Sequence, residues 1–151
     1  MTAPEGRATA GLTRTIPALP VRDVPVASAF YCERLGFEAV HEEAGFAILV
    51  RDDAVLHLWG ATDEDWRDRA DLAGRPVRSG AESFLAGTAS CRIEAADVDP
   101  LWEELDRAGV LHPTARGGVS ATEYGTREVH AVDRDGNLLT FFQPIDGPPP
   151  G

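Results

Sequence analysis

The sequence predicts an α+β protein built from two tandem β-α-β-β-β modules. Three observations carry this prediction. Short apolar, β-rich runs recur along the chain, two helical stretches interrupt them, and the order strand, helix, three strands occurs twice. The repeat is visible in detail: Asp97-Val98 matches Asp23-Val24, and "AGV" after the second helix matches "LGF" after the first. Units of this kind usually pack together to bury faces that neither buries alone.

Taken in order, Thr15 to Val21 is the first strand, interrupted by Pro17 and Pro20. Proline cannot donate to a ladder, so this strand belongs at an edge or at a change of partner. "DVPVASAFYCERLGF" is the first helix, with Val26, Ala29 and Phe30 as its apolar stripe and Leu35 closing it. Pro25 suits the first turn and Gly36 the C-terminal stop. Strands are expected at Phe37 to His41, Phe46 to Arg51 and Val55 to Trp59, with turns at Glu42 to Gly45 and at Asp52-Asp53.

The second module starts with a strand at Ser90 to Ala95. "DVDPLWEELDRAGV" is its helix, with Leu101, Trp102 and Leu105 facing the core and Gly109 as the stop. Strands follow at Thr114 to Val119, Arg127 to Asp133 and Leu138 to Gln143. The last two are joined by turn chemistry at Asp135-Gly136-Asn137. The resulting division is a flexible tail over 1–14, a first module over 15–60, a linker over 61–88, a second module over 89–144 and a tail over 145–151. The linker is long for a compact domain, and such segments are often functional. It carries Trp66 and Phe84, and a short helix is expected around Asp63 to Arg69.

Composition narrows the function. Hydrophobic residues make up 43% of the 151, enough for a packed core. The net charge of −11 argues against nucleic acid, whose phosphates need a basic face. It leaves open a merely self-repelling solute or a site that attracts a cation. Cys32 and Cys91 are the only cysteines, so no secreted disulfide framework is indicated. No run is long enough to span a membrane, and the N-terminal segment lacks the apolar centre of a signal peptide, so the expected setting is the cytoplasm. There is no phosphate loop, nucleophile elbow or Cys-x-x-Cys.

The segments "LPVRDVPVASAFYCERLGF", "AGFAILVRDDAVLHLWG" and "YGTREVHAVDRDGNLLTFFQ" resemble the vicinal oxygen chelate superfamily. This superfamily includes glyoxalases, extradiol dioxygenases and bleomycin-resistance proteins. The resemblance covers roughly residues 15 to 144 and is nearest to the bleomycin-resistance proteins. It implies a cupped mixed sheet and a homodimer in which the first strand crosses to the partner, with Pro20 as the hinge. Enzymes of the superfamily place metal ligands on the first, fourth, fifth and eighth strands. Counting from the shared motifs puts Ile16, His57, Cys91 and Thr140 at those positions. Isoleucine cannot ligate and a threonine hydroxyl ligates poorly, so no metal and no cofactor is expected. His57 reads as a wall of a cleft. A thiol–imidazole pair of Cys91 with His57 is a minor alternative.

What the resemblance implies is a cleft for a long, cationic, partly aromatic glycopeptide antibiotic, held without modification. Phe46 and Tyr124 map onto the aromatic clamp for the bithiazole, contributed by different subunits. Tyr124 stands where the family usually has tryptophan, and the segment Tyr124-Gly125-Thr126-Arg127 matches the family's pattern with Thr126 inserted or shifted. The full set of ligand-binding candidates is Phe46, Tyr124, His57, Trp59, Trp66, Glu43, Gly125 and Arg127. Trp59 is expected on the opposite side of its strand from His57, bending back at the strand end. Trp66 and Phe84 are candidates for a lid. Glu42, Glu43, Asp63, Glu64 and Asp65 are candidates for steering a cation. Two alternatives remain: a metal-free or non-standard enzyme of the same fold, and a binding protein for another antibiotic or metabolite.

Overall fold

The structure is a computed structural model that describes residues 8–61 and 89–145, with positions 6, 68, 70, 71, 73, 74, 86 and 87. Trp66, Phe84, Asp63, Glu64 and Asp65 lie outside the described residues, as does most of the expected short helix around them.

The first module runs β1 (Ala18–Val21), α1 (Val24–Leu35), β2 (Glu38–Glu42), β3 (Phe46–Arg51) and β4 (Ala54–Gly60). The second runs β5 (Ser90–Glu94), α2 (Val98–Ala108), β6 (Ser120–Ala121), β7 (Thr126–Val132) and β8 (Leu138–Pro144). Each makes a mixed four-stranded sheet, ordered β1-β4-β3-β2 and β5-β8-β7-β6. In both, the first strand lies parallel to the last, as β1 on β4 and β5 on β8, while the other pairs are antiparallel. The sequence repeat is therefore a repeat of topology.

The helices start and stop alike. The Asp23 carboxylate accepts from the Val26 N–H at 3.0 Å, and Asp97 accepts from the Asp99 N–H at 3.1 Å. Gly36 and Gly109 close the helices at φ 72° and 71°, a left-handed conformation that costs glycine least.

The buried face of α1 differs from the predicted stripe. Val24, Ala27, Ser28, Tyr31 and Leu35 are inside, whereas Val26 is 41% exposed. This stretch is apolar on several sides, so its periodicity does not choose a face. The buried hydroxyl of Tyr31 chooses it, because it has a partner waiting in the second module. In α2, Val98, Leu101 and Leu105 are buried. Trp102 is half-buried against the core and donates its indole N–H to the Ala115 carbonyl at 2.8 Å.

The expected strand over Thr114 to Val119 is absent. Pro113–Ala115 instead forms a 3-10 turn, in which His112 Nδ1 accepts from the Thr114 N–H at 3.2 Å. Pro113 opens a turn in which the N–H groups of Ala115, Arg116 and Gly118 bond locally, and β6 is reduced to two residues beyond Gly117-Gly118.

One contiguous core joins both modules. It includes Leu19 and Val21, Ala47 and Leu49, Leu56 and Leu58, Val129 and Ala131, and Leu139 and Phe141. These residues alternate along their strands, so the intervening side chains point away from the helices.

The β7–β8 turn rivets the modules together. Asp133 Oδ2 accepts from the Tyr31 hydroxyl at 2.8 Å and from Asn137 Nδ2 at 2.9 Å. Its Oδ1 accepts from the Asp135 and Asn137 backbone N–H groups. Asn137 Nδ2 also donates to the Pro20 carbonyl at 2.9 Å, and Arg22 donates to Asp135. Burial, and then the Asp133 charge, hold the Tyr31 hydroxyl well above its ordinary pKa, so it remains a donor.

Candidate functional site

The face of the first sheet turned away from α1 carries an aromatic cluster. Phe46 on β3 is paired across the ladder with Trp59, and Ile48 with His57. The Phe46 ring lies 4.4 Å from the Trp59 ring and meets His57 edge-on at 5.0 Å. His41 approaches Phe46 from β2 at 5.8 Å. Such centroid distances are those of favourable aromatic contacts. Trp59 thus lies on the same side as His57, contrary to the expectation. Residues i and i+2 of a strand share a face, and no bend is needed to bring Trp59 round. Burial depresses the His57 pKa below its ordinary value, which keeps the ring neutral near pH 7.

Glu43 sits at the rim of this cluster. Its N–H donates to the Phe46 carbonyl at 2.7 Å, and its carboxylate lies 3.5 Å from His41 Nε2. Glu42 and Glu43 are both exposed.

The equivalent face of the second sheet carries a polar network that sequence reasoning did not single out. Arg92 on β5 pairs with Glu128 on β7 at 2.6 Å, although the Glu128 side chain is only 3% exposed. Glu128 also accepts from the Thr126 hydroxyl at 2.7 Å and the Tyr124 hydroxyl at 3.2 Å. Burial alone would raise the Glu128 pKa, but the bonds from Arg92 and Thr126 outweigh it and hold the carboxyl below its usual range. The Arg92 guanidinium lies 4.6 Å over the Phe142 ring and 6.0 Å from the Tyr124 ring. Beside it, His130 Nδ1 bonds to the Thr140 hydroxyl at 2.9 Å. A signal was available: Val129 and Ala131 alternate as core residues, so Glu128 and His130 must share the other face.

A pH prediction follows from the depressed Glu128. A carboxyl whose folded pKa is lowered adds stability above its unfolded pKa, and that stability is lost as the pH falls through the folded value. The stability advantage of the wild type over Glu128→Gln should be full at pH 7 and should close in acid, below the ordinary value of 4.5. Urea titrations of both proteins across this range check it. A gap that does not change with pH would contradict it.

Tyr124 is 58% exposed and stands just before β7, with Gly125 at φ 86° completing the turn. Arg127 does not join it. It faces the helix side and makes two bonds to Asp99 at the start of α2, at 2.8 and 2.7 Å. Adjacent strand residues point to opposite faces, so placing Glu128 on the open face directs Arg127 away from it.

The four positions expected to correspond to metal ligands do not fit a metal centre. Ile16 precedes β1 and brings no donor atom. Cys91 packs against the core, opposite Leu139, and burial pushes its thiol up to about 11. That orientation also removes the alternative of a thiolate paired with His57. Thr140 is engaged with His130. Among the described residues, no three His, Cys, Asp or Glu side chains come together in a way that could hold an ion.

Comparison with known proteins agrees with this architecture. Residues 13–141 match the family described as the Glyoxalase/Bleomycin resistance protein/Dioxygenase superfamily. A bleomycin resistance protein of Geobacillus stearothermophilus is 45% identical over 134 residues, 89% of this chain and 98% of its own length. One from Klebsiella pneumoniae is 30% identical over 132 residues, 84% of this chain and 89% of its own. The solved bleomycin-binding protein of bleomycin-producing Streptomyces verticillus, complexed with copper(II)-bleomycin, superposes with a TM-score of 0.64. It is 26% identical, over 93% of this chain and all of that one. With its paired modules, parallel first and last strands and a family match over residues 13–141, this chain belongs to the glyoxalase/bleomycin resistance protein/dioxygenase superfamily.

Proposed function

We propose that this chain confers resistance by binding a bleomycin-type glycopeptide and holding it unmodified. The observation that carries the reading is the aromatic row of Phe46, Trp59 and His57, displayed on the open face of a sheet in a chain 45% identical to a bleomycin resistance protein. Flat side chains on a rigid sheet suit a planar heteroaromatic ligand, because little freedom is lost on binding. Glu42 and Glu43, exposed beside this row, offer negative charge to a cationic end of the drug.

The working unit in this reading is a homodimer, with Phe46 from one copy facing Tyr124 of the other. Two observations support it. The aromatic row and Tyr124 stand on separate sheets of the chain. Pro20 also has the features of a hinge: its carbonyl is fixed to Asn137, while Ala18 and Leu19 make ladder contacts with β4 that a second copy could supply unchanged. The setting we propose is the cytoplasm. No helix among the described residues is long and apolar enough to cross a membrane.

The test is the fate of the drug. Protein stripped of metal by a chelator should still bind bleomycin, and the drug released by denaturation should have an unchanged mass. Drug recovered with an added or removed group would point to an enzyme instead.

A further inference from the structure

Stability alone does not account for the polar network on the second sheet. A surface ion pair contributes little, and taking a carboxylate out of water is costly even when it is paired. Yet Glu128 is buried on the sheet face that the helices do not cover, with Arg92, Thr126 and Tyr124 all bonded to it. The result is a prearranged surface. One buried carboxylate fixes the orientation of the guanidinium and of the Tyr124 ring, and the guanidinium rests over the face of the Phe142 ring. The Arg92 side chain remains 47% exposed. It also borders a cavity of about 300 Å³ shared with Pro17 and Val55 of the first module.

We infer that Arg92 is a specificity-determining residue for the ligand, its guanidinium and the Tyr124 ring together forming a stacking platform for a planar, electron-rich heteroaromatic ring. The inference rests on the drug-binding reading above and adds a residue and a chemical preference to it. A guanidinium stacks on flat π-systems where an ammonium cannot, because its charge is spread over a plane. Its positive charge also disfavours the cationic end of a ligand at the same place, so it sets which way round the ligand lies.

The test is Arg92→Lys, which keeps the charge beside Glu128 and removes the plane. Two probes are titrated against wild type and variant: metal-free bleomycin, and a derivative whose cationic terminal group is replaced by a carboxylate. Stacking predicts that the variant binds both probes at least fivefold more weakly, with an unchanged thermal midpoint. A loss of less than threefold on either probe overturns the inference, because the platform would then be irrelevant or would act through charge alone. If the wild type binds neither probe, whether metal-free or copper-loaded, the drug-binding reading itself falls and the inference with it. If the variant does not fold, the wild-type Arg92 Nε–H resonance decides. A ring-current shift of that signal on adding metal-free bleomycin supports stacking, and an unmoved signal in drug-saturated protein overturns it.

Discussion

Replacing Asp133 with alanine should destabilise the protein by about 3–5 kcal/mol, the largest loss expected from any single polar substitution. The carboxylate accepts four hydrogen bonds, from the Tyr31 hydroxyl, Asn137 Nδ2 and the N–H groups of Asp135 and Asn137. Its removal leaves the Tyr31 hydroxyl buried without an acceptor and frees Asn137, which holds the Pro20 carbonyl and the Ala89 N–H. The damage therefore reaches α1, β1 and the entry to β5 together. Asp133→Asn should cost less, because its one remaining oxygen can still serve either the backbone or Tyr31. Urea midpoints at a fixed protein concentration measure the effect. A loss below about 1 kcal/mol for Asp133→Ala would show that the turn is not what joins the modules.

The second large effect should be on binding. Phe46→Ala removes the ring at the centre of the aromatic row, between His57 and Trp59. Aromatic anchors in binding surfaces commonly contribute about 2 kcal/mol, which corresponds to roughly a 30-fold weaker drug complex. Tyr124→Ala should weaken binding as well. Mixing the two variants gives a sharper result. If each cleft takes Phe46 from one copy and Tyr124 from the other, a mixed dimer contains one intact cleft and one doubly altered cleft. Remixing the two proteins should restore tight sites at a fraction of one per mixed dimer. Absence of any tight site after confirmed subunit exchange would place both residues in the cleft of a single chain.

Much of the fold was legible because the repeat gave each element a second witness. The matching Asp23-Val24 and Asp97-Val98 pairs and the two glycine stops marked both helices independently. The α1 stripe was not legible, since apolar residues lie on several of its sides and only the long-range Tyr31–Asp133 bond selects the inner one. The strand expected at Thr114 to Val119 failed because the N–H groups of Thr114, Ala115, Arg116 and Gly118 are used in local turn bonds after Pro113 and not in a ladder.

In the candidate site, Phe46 was singled out by its place in the family-like segment. Trp59 was set on the wrong side of its strand, an error of parity. Parity also separates Cys91 from Arg92 and Arg127 from Glu128, and in each pair the residue singled out from sequence is the one turned away from the open face. The Arg92–Glu128 pair joins β5 to β7 across 36 residues of sequence. Contacts of that range depend on the order of strands in the sheet, which local pattern does not specify.

The measurement that bears most directly on the central claim is calorimetric titration of the purified protein with metal-free and copper-loaded bleomycin. The account predicts submicromolar binding at about one drug per chain, two per dimer, for at least one of the two forms. Absence of heat and of competition at high drug concentration would contradict it, leaving the fold in place and removing this class of drug as the ligand.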